Sequence, residues 1–180
     1  MSDFSISIVP KLSSYPDNKA KAEEILAWLV SMDVVKPTLS DCTLSSDNGY
    51  AISEGARRVT NLQNELTFQL AVNGLKITTN RQFFHTAGNG MDECLCPNCK
   101  ENIASEDWSF FDDWDEEKSN DLTCPLCNVA TDIHQFSFSP EWGFSNLGFT
   151  FWNWPDFTDE FISEFRQKLG CEISMVFAHY

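Results

Sequence analysis

The sequence predicts an α+β fold: a largely antiparallel sheet with two helices on one face, interrupted by an inserted cysteine-rich segment. Three observations carry this. Both ends of the 180-residue chain alternate apolar and polar residues with the period of a strand, at Phe4, Ile6, Ile8 and at Ile173, Met175, Phe177. Two segments have apolar residues at helical spacing, Ala22-Ile25-Leu26-Leu29-Val30 and Phe157-Phe161-Ile162-Phe165-Leu169. Between them lie two cysteine pairs, Cys96-Pro97-Asn98-Cys99 and Cys124-Pro125-Leu126-Cys127.

In chain order, Phe4 to Ile8 forms a half-buried first strand, and Pro16-Asp17-Asn18 opens the first helix, whose stripe packs on the sheet. Val34-Val35 begins another strand, and Ser45 to Gly49 is a loop. Leu66, Phe68, Leu70 and Val72 alternate with polar and small residues. Asn73-Gly74 follows, and then Leu75 and Ile77 alternate with Lys76 and Thr78. Asn-Gly between alternating runs predicts a two-residue hairpin turn, with Val72 opposite Leu75 and Leu70 opposite Ile77. Leu147 to Trp154 carries bulky groups on both faces, the pattern of a strand that is central or covered on each side. Pro155-Asp156 introduces the second helix, Gly170 stops it, and Glu172 to Tyr180 is the last strand. The order β-α, hairpin, insert, β-α-β makes a ferredoxin-like split β-α-β arrangement a candidate topology. Residues 1–88 and 136–180 are expected to form one α+β domain, with 89–135 inserted.

Composition narrows the function classes. No run of about 18 apolar residues exists to span a membrane. The first residues lack the basic segment and apolar core of a signal peptide, so a cytoplasmic protein is expected. Seven cysteines, an odd number, fit a reducing compartment better than a disulfide framework. The net charge of −15 disfavours nucleic acid phosphates and anionic membranes. That charge is concentrated. Asp92 to Asp121 holds eleven acids against two bases, so this segment is the acidic pole.

Thiolates in tetrahedral array suit zinc, and a C-P-x-C turn points two of them at one ion. A reactive thioredoxin-type pair would be expected singly, and an iron–sulfur cluster is a further alternative. The two motifs resemble those of zinc-ribbon or paired zinc-knuckle proteins over some 40 residues. The resemblance implies Cys96, Cys99, Cys124 and Cys127 as ligands of a structural Zn2+. The chain departs from common ribbons in having Lys100 and Asn128, not glycine, directly after each pair. As a whole it also resembles small bacterial proteins of uncharacterised role with C-P-x-C pairs and a G-F-T-F-W-N-W-like strand, a resemblance that implies no function. A closed four-thiolate site offers no open position for substrate, so such a metal is a staple. Cys94 could compete as a ligand but reads more simply as a free thiol, and Cys42 and Cys171 read as core residues.

Trp108, Phe110, Phe111 and Trp114 interleave with Asp107, Asp112, Asp113, Asp115, Glu116 and Glu117. The simpler reading docks these aromatics onto the main domain and leaves the acids in water. The functional reading is a partner surface formed by Trp108, Asp112, Asp113, Trp114, Asp115, Glu116 and Glu117, suited to a basic protein. Trp142, Phe144, Phe149, Phe151, Trp152 and Trp154 read as core. No G-x-S-x-G, H-E-x-x-H, P-loop or G-x-G-x-x-G motif is present. The leading expectation is a non-enzymatic protein-interaction module, a regulator or immunity-like binder. The alternative is a small hydrolase or transferase with a pocket between sheet and insert, using His85, His134 or His179.

Overall fold

The computed structural model describes residues 2–180. Its strands and helices run β1 (Phe4–Pro10), α1 (Asn18–Ser31), β2 (Val35–Ser40), β3 (Gly49–Ile52), β4 (Leu75–Thr78) and β5 (Gln82–Phe84) in the first half. They continue with β6 (Glu93–Leu95), α2 (Asp112–Asp115), β7 (Asp121–Thr123), β8 (Ala130–Asp132) and β9 (Ser137–Ser139). The chain closes with β10 (Gly143–Ser145), β11 (Gly148–Trp152), α3 (Asp159–Leu169) and β12 (Ile173–His179).

Six strands form one sheet in the order β12-β1-β11-β4-β3-β2, and every pairing is antiparallel. Alternating directions along that order make β11 and β12 parallel, with β1 between them and α3 connecting them. Likewise β1 and β2 are parallel and joined by α1. These are two interleaved split β-α-β units, with β3 and β4 added between β11 and β2.

Period-2 alternation sorts the sheet into two faces. Ile6, Ile8, Leu75, Phe149 and Phe151 join Ala22, Ile25 and Leu29 of α1 and Phe161, Phe165 and Leu169 of α3 in one core. The helices meet through Trp28, which stacks on Phe161 at 5.6 Å and sits edge-on to Phe165 at 5.5 Å. Thr158 caps α3, its hydroxyl accepting from Phe161 N–H, and Gly170 ends it at φ 69°. As its pattern implied, β11 is central and wholly buried. The edge strand β2 carries Lys36, Pro37 and a register irregularity, devices that discourage edge-to-edge association.

The predicted hairpin at Asn73-Gly74 does not form. Residues 68–72 form a turn followed by bends, and β4 pairs instead with β11 and β3. Neither Asn73 nor Gly74 takes the positive φ that the hairpin turn requires. Both backbone N–H groups donate to the Cys42 carbonyl, while the Asn73 side chain donates to Thr67 and Phe68 carbonyls. Gly74 serves close approach: a Cβ there would lie 2.1 Å from Cys42 Sγ. The Asn-Gly pair therefore anchors a tight crossing.

The second core is built differently. It gathers Ile103, Phe111, Trp114, Leu122 and Ile133 from the insert with Phe83, Phe136, Phe138, Trp142 and Phe144 from its flanks. Its strands are three residues long and occur as isolated pairs: β6 with β9, β7 with β8, and β5 with β10. Among the described residues no helix is long and apolar enough to cross a membrane.

Candidate metal centre

Both C-P-x-C segments fold into the same six-residue turn. Cys96 N–H donates to the Glu101 carbonyl and Lys100 N–H returns to the Cys96 carbonyl. Cys124 and Val129, with Asn128 and Cys124, repeat those bonds at 3.1 and 2.8 Å. The fifth residue of each turn is left-handed, Lys100 at φ 65° and Asn128 at φ 61°. This is the position where the zinc-ribbon resemblance leads one to expect glycine. Asn tolerates the conformation better than Lys does. The first turn closes on β6, and the second is the tip of the β7–β8 hairpin.

The two turns face one another and bring four thiols together. Cys96 Sγ lies 3.8 Å from Cys127 Sγ, Cys99 Sγ lies 3.8 Å from Cys124 Sγ, and all four sulfurs fall within 4.8 Å of one another. A tetrahedron with metal–sulfur bonds of about 2.3 Å has edges of about 3.8 Å, so the thiols fit a single ion. They sit too far apart for disulfides, and too close for a multi-iron cluster whose thiolates bind different irons. Cys96 and Cys124 are fully buried, while Cys99 and Cys127 are partly exposed.

The turns also supply donors to sulfur. The Asn98 amide donates to Cys127 Sγ at 3.5 Å, and the Val129 N–H adds a second bond, so the Cys127 thiol is lowered to about 6. Burial raises the thiol of Cys124, against N–H donors from Cys127 and Leu126. Thiols this close cannot all ionise together unless a cation offsets the repulsion. Cys94, in β6, lies outside the group. It is buried in the second core, and burial pushes its thiol up to about 12, the behaviour of an inert apolar side chain.

The acidic-aromatic segment divides by face. Trp108 to Phe111 form a short 3-10 turn leading into α2, so Phe111 and Trp114 turn inward together. Trp114 is completely buried and its Nε1 donates to Ser13 Oγ at 2.8 Å, 101 residues away. Arg81 locks it from behind. Its guanidinium lies 4.0 Å from the indole centroid and donates to the Trp114 and Ser119 carbonyls and to Asn120. Trp114 therefore docks the insert and is not available as a surface anchor. Trp108 stays 44% exposed, edge-on to Trp142, while Asp112, Asp113, Asp115, Glu116 and Glu117 are all exposed. Of these, Glu116 pairs with Lys118, and no ion pair engages the other four among the described residues.

The histidines are not gathered. His134 is nearly buried, with Nδ1 against the Asp132 carboxylate and Nε2 against the Phe144 carbonyl, tying β8 to β10. His179 is exposed beside Ser2. His85 borders a cleft on the sheet, its Nδ1 accepting from Ala87 N–H. The four clustered cysteines announce themselves by spacing. Arg81 and the cleft residues do not, because each acts across a distance in sequence that no local pattern encodes. Comparison with protein-family models, curated proteins and solved structures gives no match to this chain.

Proposed function

We propose that this chain is a zinc-stapled protein-interaction module that presents an acidic ridge to a basic protein partner. The observation that carries this reading is the ridge itself: five exposed carboxylates at Asp112, Asp113, Asp115, Glu116 and Glu117, four of them without an ion-pair partner. They sit on a turn that fully buried Trp114 and the Arg81 clamp hold in place. Fixed, unpaired charge steers and orients a complementary surface at little ordering cost. Half-exposed Trp108 supplies an apolar contact beside it. Zinc suits the centre because four thiolates at tetrahedral spacing are its common structural set. With four thiolates and one Zn2+ the centre carries −2, which deepens the acidic field.

The test is affinity capture with the metal-loaded chain and with a variant carrying Asp112→Asn, Asp113→Asn, Asp115→Asn, Glu116→Gln and Glu117→Gln. The expected result is a stoichiometric basic protein held by the native chain, released by salt and lost from the variant. Equal capture by both chains, with unchanged salt dependence, would contradict the reading. Metal analysis should return one zinc per chain.

A further inference from the structure

The sheet face opposite the helices holds a cavity of about 280 Å³. Its floor is the second set of alternating residues, Ser5 and Ser7 of β1, Lys76 and Thr78 of β4, and Thr150 and Trp152 of β11. Phe84, His85 and Tyr180 complete its walls, and the Trp152 and Tyr180 rings lie 5.2 Å apart. Aromatic walls around a few placed polar groups are the ordinary composition of a small-molecule site.

Its polarity runs against that of the chain. The protein has 27 acids, yet among the described residues none lines this cavity, which instead has Lys76 and His85. Because Ala87 N–H donates to His85 Nδ1, a neutral ring carries its proton on Nε2 and is a donor there. Ser7 and Thr150 satisfy each other at 2.8 Å. Two other groups are left over. Thr78 Oγ1 and Trp152 Nε1 are both buried and have no hydrogen-bond partner, in residues 7% and 6% exposed. Burying an unpaired indole N–H is costly, so native proteins seldom leave one without a partner. Lys76 Nζ is held at 2.9 Å by Asp47, whose side chain is 67% exposed. Such a pair is worth little and exchanges readily for a better-placed anion.

We propose that this cavity is a binding site for a small planar organic anion, an aromatic carboxylate in the simplest case. The ring lies against Trp152 and Tyr180. The carboxylate takes the place of Asp47 on Lys76, and a small rotation of the Trp152 ring turns its closed-off, unpaired N–H toward it, with Thr78 alongside. This site is separate from the acidic ridge and does not depend on it.

Benzoate is the probe, titrated into the metal-loaded full chain while the indole N–H resonances are followed by NMR. Benzylamine is the cationic match. Benzoate should shift the Trp152 indole resonance saturably, with a dissociation constant of about 1 mM, while benzylamine leaves it in place. Lys76→Met, which keeps the aliphatic stem, should weaken benzoate about tenfold through loss of a charge-assisted bond. Thr78→Val, of the same shape, should weaken it severalfold. No shift with benzoate, an equal shift with benzylamine, or undiminished affinity in Lys76→Met would each overturn the proposal.

Discussion

The two cores of this protein solve the same problem by opposite means. Around α1, α3 and the six-stranded sheet, long elements each contribute a full apolar face, and Phe149, Phe151 and Phe165 are sealed by regular hydrogen bonding. Around the cysteines, strands of three residues have too few ladder bonds to persist alone. That half rests instead on a cluster of aromatic rings and on four thiols set for one ion. The comparison teaches that hydrophobic burial is sufficient where secondary structure is long, and that a point staple substitutes where it is not.

The largest expected effect follows directly. Structural zinc contributes about 10–16 kcal/mol to the folding of small zinc-finger peptides, so Cys124→Ser should unfold the cysteine half. The sheet half should remain, read as loss of near-ultraviolet circular dichroism from the Trp114–Trp142–Phe144 cluster with far-ultraviolet signal largely retained. Acid should do the same by a stated route. Each thiol that still holds a proton must lose it on binding, so metal affinity falls as pH falls. The fall should steepen by one proton below about pH 6, where Cys127 is protonated as well.

Core truncations sharpen the contrast. Phe149→Ala and Phe144→Ala each remove a ring that is almost wholly buried, at an expected cost of about 3–5 kcal/mol. In chemical denaturation Phe149→Ala should lower the main transition, whereas Phe144→Ala should separate an earlier transition belonging to the cysteine half. Arg81→Met tests the joint between the halves. Loss of its bonds to Trp114 and Ser119 and of its contact with the indole should cost about 2 kcal/mol, again in the earlier transition. The smallest effect is stabilising. Lys100→Gly relieves a left-handed lysine and should add about 1 kcal/mol to the metal-bound form, measured as a higher chelator midpoint.

The same contrast explains what the sequence discloses. Elements of the main sheet are legible where burial follows the period of the chain, as at Phe161, Phe165 and Leu169 on α3. The first strand, expected to be half-buried, is instead buried on both faces from Ser5 to Pro10, because Phe84 and Val176 cover Val9 on the side away from the helices. The ligand set is legible because two C-P-x-C turns must converge to complete a tetrahedron. Asn73-Gly74 misleads because its local turn preference is overridden by bonds to Cys42 and by Trp154 Nε1, which donates to the Asn73 carbonyl. For Trp114 the sequence leaves two readings, docking and partner surface, and the helical turn that exposes Asp112, Asp113 and Asp115 decides between them by rotating the ring inward onto Ser13. The cavity is illegible for a related reason. Thr78, His85, Trp152 and Tyr180 meet only once the strand order is set.

Hydrogen–deuterium exchange, resolved by segment before and after chelation, tests the two-core account most directly. Protection should collapse across about residues 91–139 on metal removal and stay near its original level in β1, β11 and α3. Uniform loss over the whole chain, or unchanged protection of β6 to β9, would contradict the claim that the metal staples one half of the molecule and not the other.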